Sequence, residues 1–594
     1  MKKISVFLIL SLICVSTLLS QQDSTGFGVL DYLNSISGKE TLAGQHGRDY
    51  WVPMLRIAGD YPAVWSEDFL FYAGDNTSSM DSWRTLLVQD AKQHWLQGAL
   101  VSLMFHACPP TEPEPCDWQD VNNNKGILSK LSDAQWNDLI TDGGTLNSNW
   151  KARLDVIYPY LKKLNDAGVE VLFRLFHEMN QGAFWWGGRP GANGTRKLYQ
   201  ISHDYLVKTK GLTNLIWVWN VQDLSNDLAS VLNNYDPGSD YWDVLALDVY
   251  SGNTATQAYT SAKYNAIVNK AAGKPIAIGE CQVLPTAAIL NSQPLWTYFI
   301  GWADLVQTYN SNSTISAIYN AANVLTLSRT GRVSPNIDGD HSKALICNFD
   351  DVFPYLSADF GLLLDFADTP GDSPASGKMG ALWVPQNNPY DGFLVVYLNK
   401  PIDPRNYVGI SFLAQTNVSP YFVMKLEQSS DTNNSTQIQD WTTYPQYTGN
   451  GEWQEVRIPF NVLLGSTGTD QLGYKLDHNA NFPVSNYDRL VIVPAPYQHL
   501  SEFTLNIDNI KLHTSWDDET GIPLTSVASL IITAENGMIK ATAAAGNSVS
   551  LKVYSISGQE IASGMNQVQI VTKGVYIVKA TAGDTTGVQK VVVR

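Results

Sequence analysis

Between about Leu42 and Leu305 the sequence repeats one pattern eight times: a short apolar run suited to a buried strand, then a polar, helix-patterned connection. The runs cover residues 41–46, 62–65, 100–106, 169–176, 215–220, 244–250, 275–280 and 296–302. Eight buried strands joined through helices is the count of a (β/α)8 TIM barrel, which predicts an α/β fold. The connections agree with it. Leu154, Ile157, Tyr158, Leu161 and Leu164 form a helical stripe that stops at Gly168, and the helices before the fifth and seventh runs stop at Gly211 and Gly273. Pro159 lies inside the first stripe and weakens it, so the span of that helix stays open.

A barrel of this kind gathers its chemistry at the C-terminal ends of its strands. Gln45, His46, His106, His177, Glu178, Asn220, Asp248, Tyr250, Glu280 and Trp302 all fall there. Any one of them taken singly is more often a hydrogen-bonded loop anchor than a catalyst. Their convergence on one rim is what points to a site. The richest stretch is Phe173-Arg174-Leu175-Phe176-His177-Glu178-Met179-Asn180, followed by Gln181-Gly182-Ala183-Phe184-Trp185-Trp186-Gly187-Gly188. It places a carboxylate where an apolar run ends and follows it with rings and glycines, the make-up of an acid beside a flat sugar platform. A buried Glu178 paired with Arg174 in an ordinary core is the competing reading. Lys274-Pro275-Ile276-Ala277-Ile278-Gly279-Glu280-Cys281 is a second run ending in a carboxylate, and two such tips are what acid-assisted glycoside hydrolysis requires. Zinc is disfavoured, because the second histidine of a helical His-Glu motif would fall at Gln181.

At 594 residues, with 44% hydrophobic and 16% charged residues, the chain has material for several domains and a large core. A net charge of -17 argues against general affinity for nucleic acid or anionic membrane and is compatible with a neutral polymer. Many of the 18 Trp and 28 Tyr fall in Gly/Asn/Pro-rich loops, where rings suit sugar contact better than core packing. Residues 1–20 have the order of a secretory signal peptide: Lys2 and Lys3, then Ile4 to Leu19, then Ser20. Secretion follows, to the extracellular medium or the cell surface. Cys14 follows Ile13 rather than the small residue of a lipoprotein box. Cys108 and Cys116 flank one Pro-rich loop and are candidates for a disulfide, and Cys281 reads as a small buried hydrophobe. No later stretch is long and apolar enough for a membrane span, so none is expected in the mature chain.

The barrel resembles glycoside hydrolase family 26, whose best-known members are β-1,4-mannanases. His177-Glu178-Met179-Asn180 with Phe184-Trp185-Trp186-Gly187 resembles the family's acid/base segment, and Ile278-Gly279-Glu280 its nucleophile segment. The resemblance covers nearly the whole barrel, assigned to residues 26–335. It implies Glu178 as general acid/base and Glu280 as nucleophile, with His106, His177, Trp185, Trp186, Asp248, Tyr250 and Trp302 binding substrate or supporting the pocket. No catalytic cofactor is implied. One departure is the Gln181-Gly182-Ala183 step before Phe184, which bears on subsite specificity.

Residues 343–515 change to alternating β-type segments such as Phe393-Leu394-Val395-Val396-Tyr397, parted by Asn/Ser/Thr/Gly turns, and predict a β-sandwich. This region resembles a jelly-roll carbohydrate-binding module, in which first and last strands can share a structural calcium, here through Asp350 and Asp508; solvated turn acids are the alternative. Trp383, Tyr390, Trp441 and Tyr444 are its candidate sugar-contacting rings. Residues 522–594 predict a small all-β domain. Val553-Tyr554-Ser555-Ile556-Ser557-Gly558, Gly574-Val575-Tyr576-Ile577-Val578-Lys579 and Lys590-Val591-Val592-Val593-Arg594 resemble the C-terminal sorting domain of the type IX (Por) system, which implies the secretion machinery as a partner. The expectation is a secreted retaining endo-β-1,4-mannanase acting on mannan, galactomannan or glucomannan. A β-1,3-xylanase, a mixed-linkage β-glucanase and a non-catalytic polysaccharide-binding protein are the alternatives.

Overall fold

The computed structural model describes residues 28–593, apart from 71–76, 225–226, 333–344, 350–353, 360, 370–376, 387–391, 429–430, 439–446, 461–462, 467–473, 476–485, 496–499, 515–529, 536–537, 544–547, 556–559, 571–573 and 583–584. Residues 1–20, Asp350, Tyr390, Trp441 and Tyr444 therefore lie outside the described residues.

The eight runs fold as eight parallel strands: β1 (Thr41–His46), β2 (Val64–Asp68), β3 (Leu100–Met104), β4 (Val171–Arg174), β5 (Leu215–Gln222), β6 (Val244–Val249), β7 (Ile276–Cys281) and β8 (Trp296–Gly301). They pair in sequence order, and β1 pairs with both β8 and β2, which closes the barrel. Every residue of these strands is buried, as expected of a parallel sheet jacketed by helices. Two strand ends differ from the sequence expectation. Ser66, Glu67 and Asp68 end the apolar run but continue β2, in register with Ser102, Leu103 and Met104 of β3. β4 stops at Arg174, so His177 and Glu178 stand in the turn beyond the strand.

The helices used below are α1 (Val29–Ile36), α2 (Arg48–Ala58), α3 (Thr77–Leu96), α4 (Asp133–Ile140) and α5 (Thr145–Asp166). In α5 the buried face carries Trp150, Leu154, Ile157, Leu161 and Leu164, whereas Pro159 points outward and is accommodated without ending the helix. Gly168 follows with a φ of 70°, a conformation that costs glycine nothing. Cys108 and Cys116 form a disulfide that ties the loop after β3.

Beyond the barrel, two antiparallel sheets face each other. One runs through strands Leu363–Asp368, Lys378–Val384, Phe503–His513, Gly409–Gln415 and Gln454–Pro459, and the other includes Leu356–Asp359, Phe393–Ile402, Tyr487–Pro494 and Phe422–Gln428. Alternate residues such as Leu382, Leu505, Phe412, Leu394, Ile492 and Met424 point between the sheets into one apolar core. The C-terminal strands form two further small antiparallel sheets around Ile539, Leu551, Val553 and Val578.

Candidate active site

Glu280 sits near the end of β7 with both oxygens bonded: Oε1 accepts from Arg174 Nη2 at 2.9 Å and Oε2 from the Tyr250 hydroxyl at 2.6 Å. Arg174 ends β4, is fully buried, and also donates to Asp248 Oδ1 and Asn220 Oδ1 at 3.0 Å each. Asn220 Nδ2 closes the cluster on Asp248 Oδ1 at 3.0 Å. The glycine before the acid is sterically required, because a Cβ at Gly279 would lie 2.6 Å from both Asn220 Nδ2 and Asp248 Oδ1. Burial pulls the Arg174 guanidinium down, but the Asp248 and Glu280 carboxylates outweigh it and hold the charge firmly. Burial and the Glu280 charge push the Asp248 carboxyl upward.

Glu178 is held differently. Its φ is 50°, a left-handed backbone that costs a non-glycine residue about 1–3 kcal/mol and persists only where surroundings impose it. Here its N–H donates to Asn220 Oδ1 at 3.3 Å and its carbonyl accepts from the Gln181 N–H at 3.1 Å. The Gln181 side-chain amide donates to Glu178 Oε2. Burial, then the nearby Glu280 charge, raise the Glu178 carboxyl from 4.5 to about 7. Taking one oxygen from each, Glu178, Asp248 and Glu280 lie within 4.8 Å of one another. Three carboxylates so close could crowd around a cation, and Arg174 supplies that positive charge to two of them.

A chain of rings leads away from the acids. His177 Nε2 meets His106 Nε2 at 3.0 Å, and His106 Nδ1 meets Asp68 Oδ2. Asp68 Oδ1 accepts the N–H groups of Leu70 and His106, each at 3.0 Å, which fixes the carboxylate as an acceptor. A His106 proton then belongs on Nδ1, facing that acceptor. Burial holds His177 well below the usual imidazole range, so it stays neutral. Next to Asp68, Glu67 also faces the cleft; burial pushes its carboxyl up to about 8.

These groups line a cleft of about 400 Å³ at the barrel rim. His46 stacks on Trp302 with centroids 3.9 Å apart, and Phe184 and Trp118 complete the aromatic wall. Trp118 is 49% exposed at the mouth, 5.3 Å from the His106 ring. The sequence expectation for Trp185 and Trp186 needs correction. Both rings are buried in the core and line no part of this cleft: Trp185 Nε1 donates to Ala107 O and Trp186 Nε1 to His177 O. Phe184, stacked 4.5 Å over Trp186, is the member of that segment that reaches the cleft. Asp248 is likewise wholly buried beneath Glu280 and touches no open space.

Sequence reasoning missed Glu67, Asp68, Trp83 and Trp118 as cleft residues. Ser66-Glu67-Asp68 could have been found by extending the second strand to match the polar tips of its neighbours. Trp118, two residues after the bridged Cys116, had no periodic signal. The pairing of Arg174 with Glu178 is replaced by pairing with Glu280 and Asp248. Cys281 is buried, its thiol pushed up to about 12 by that burial. Asp508 is buried in strand Phe503–His513, its Oδ1 accepting the Asn509 N–H at 2.7 Å.

The profile of Glycosyl hydrolase family 26 matches residues 19–329, just over half of the chain. A mannan endo-1,4-beta-mannosidase of Thermothelomyces thermophilus is 30% identical over 323 residues, covering 51% of this chain and 61% of that protein. Mannan endo-1,4-beta-mannosidase A of Piromyces sp is 25% identical over 318 residues, covering 50% of this chain and 47% of that protein. The chain thus spans about half to three-fifths of the length of these curated relatives. The solved structure of GH26A from Muricauda sp. MAR_2010_75 is 34% identical, covers 50% of this chain and 95% of that one, and superposes with a TM-score of 0.45. With the profile running from the N-terminal segment through the last barrel helix, the chain belongs to glycosyl hydrolase family 26.

Proposed function

We propose that this protein is a secreted endo-β-1,4-mannanase that cleaves mannan, galactomannan or glucomannan with retention of anomeric configuration. One observation carries the mechanism: oxygens of Glu178 and Glu280 lie within 4.8 Å, against the roughly 5–5.5 Å between carboxyl groups of retaining sites and the ~6.5–9.5 Å of inverting ones. The Glu280 oxygen attacks the anomeric carbon, forming the glycosyl ester as the glycosidic C–O bond breaks. Glu178, protonated near neutral pH, gives its proton to the leaving oxygen, then takes one from the water that hydrolyses the ester. Arg174 and Tyr250 keep Glu280 aimed, each bonded to one of its oxygens. The mannan preference rests on the names of the relatives above.

The test is the product. NMR of the first-formed oligosaccharide should show the β-anomer, and an α-anomer would overturn the mechanism. Glu280→Ala should lose turnover on the order of 10⁴-fold or more and be rescued by azide as the α-glycosyl azide. Glu178→Ala should spare substrates with good leaving groups and give the β-glycosyl azide. Rates on galactomannan, xylan and lichenan decide the substrate, with galactomannan expected fastest. For residues 343–515 we propose a jelly-roll carbohydrate-binding module, to be checked by pull-down of the full chain on insoluble mannan. Residues 522–594 are proposed as a secretion sorting domain; deleting them should strand the protein inside its cell without altering purified activity.

A further inference from the structure

The two-sheet region is seated on the barrel through buried, directional bonds. Gln93 of α3 forms a reciprocal pair with the backbone of Leu356, at 2.9 and 2.8 Å, and Gln89 Oε1 accepts the Leu364 N–H at 3.0 Å. Arg56 of α2 bonds Asp488 at 3.1 Å, and Tyr355 stacks on His94 at 5.2 Å. At the centre is Arg48, the first residue of α2. Its guanidinium contacts Asp90 at 2.8 Å within the barrel, and Ser357 Oγ at 2.7 Å and Asp359 Oδ1 at 3.2 Å from the sheet strand Leu356–Asp359. Ser357 in turn donates to Asp359 Oδ2 at 2.8 Å, so the two sheet residues act as one grip.

The other end of Arg48 faces the cleft. Its backbone N–H donates to Glu67 Oε2 at 2.8 Å, and Glu67 lines the cleft beside Asp68. Two residues earlier in the chain is His46, the ring stacked on Trp302. The turn between β1 and α2 is thus held from the cleft side by Glu67 and from the rear by oxygens that belong to the two-sheet region.

Taking the cleft as the substrate site proposed above, we infer that the two-sheet region is a built-in wall of the catalytic unit. Through Ser357 and Asp359 it fixes Arg48, a positioning residue, and so sets the placement of Glu67 and His46 toward bound sugar. A module that works only by tethering raises effective concentration on an insoluble surface and leaves short soluble substrates unaffected. A wall changes how every substrate binds.

The experiment uses the full chain and a soluble manno-oligosaccharide. The double variant Ser357→Ala/Asp359→Ala should raise KM roughly 3- to 30-fold with kcat changed less than about twofold, the range seen for coupling through positioning contacts. Ser357→Ala alone, which removes one hydroxyl, should move KM the same way and to a lesser extent, and Ser357→Thr, which keeps the hydroxyl, should restore it. Lys92→Ala removes only the partly exposed bridge to Asp365 at the edge of the same seam and should leave KM unchanged. A double variant with wild-type KM would overturn the inference, as would an equal rise in Lys92→Ala, which would mean loosened docking rather than the Arg48 route. A wild-type protein inactive on all oligosaccharides would instead sink the proposed function.

Discussion

The tips of β4 and β7 present the same side chain to the same cleft and hold it in opposite ways. Glu280 lies within a strand, where the ladders to β6 and β8 shift register, and both its oxygens are occupied by a buried guanidinium and a phenol. Glu178 lies beyond its strand in a left-handed turn, and among the described residues the partner on its carboxylate is the amide of Gln181. The difference teaches that the proposed acid and the proposed nucleophile are told apart by their surroundings. A buried guanidinium and a phenol hold one carboxylate in place, whereas burial beside a like charge favours the protonated form at the other.

The comparison breaks first at Arg174. Arg174→Met should destabilise the fold by about 3–5 kcal/mol, because Asp248 and Glu280 would be left as buried carboxylates without their cation. Denaturant unfolding measures it; a loss under 1 kcal/mol would mean that the cluster is not held by this charge. Glu178→Gln tests the other tip. A folded pKa raised from 4.5 to about 7 means the wild-type contribution is fully present below about pH 4.5 and is lost as pH rises through 7. The variant should therefore gain on the wild type by up to about 3 kcal/mol at pH 8 and show no gain near pH 4. A pH-independent difference between the two melting curves would remove the basis for calling Glu178 the protonated partner.

The smallest effect belongs to Gln181. Its amide favours the ionised Glu178, so Gln181→Ala should raise the Glu178 pKa further. The alkaline limb of kcat/KM, expected near pH 7, should then move up by as much as about one pH unit, the equivalent of one charge-assisted hydrogen bond. A limb that stays in place or moves down would show that another group controls it.

Glu178 and Glu280 were legible because each ends an apolar run, and strand ends in a closed parallel barrel converge on one rim. Gly168 and Cys108 with Cys116 were legible for local reasons, a helix stop and a short Pro-rich span. The rings were not. Trp185, Trp186, Phe184 and Trp118 are all large and apolar in the sequence, yet two are core and two face the cleft. Nothing in a loop's composition says which way a ring turns, because no periodicity constrains it.

By itself, then, the sequence determined the barrel, the order of its strands and the two acids at their tips, since these follow from hydrophobic periodicity and chain topology. The tertiary structure alone decided the partners. Arg174 could reach Glu178 or Glu280 on paper, and the order of β4, β5, β6 and β7 around the barrel gave it to Asp248 and Glu280. Asp68 joined the histidines because β2 extends three residues past its apolar run, in ladder with β3. Arg48 met Ser357 and Asp359 across about 310 residues of chain, a pairing that no local pattern encodes and that exists only because two separately cored regions bury one another's polar groups.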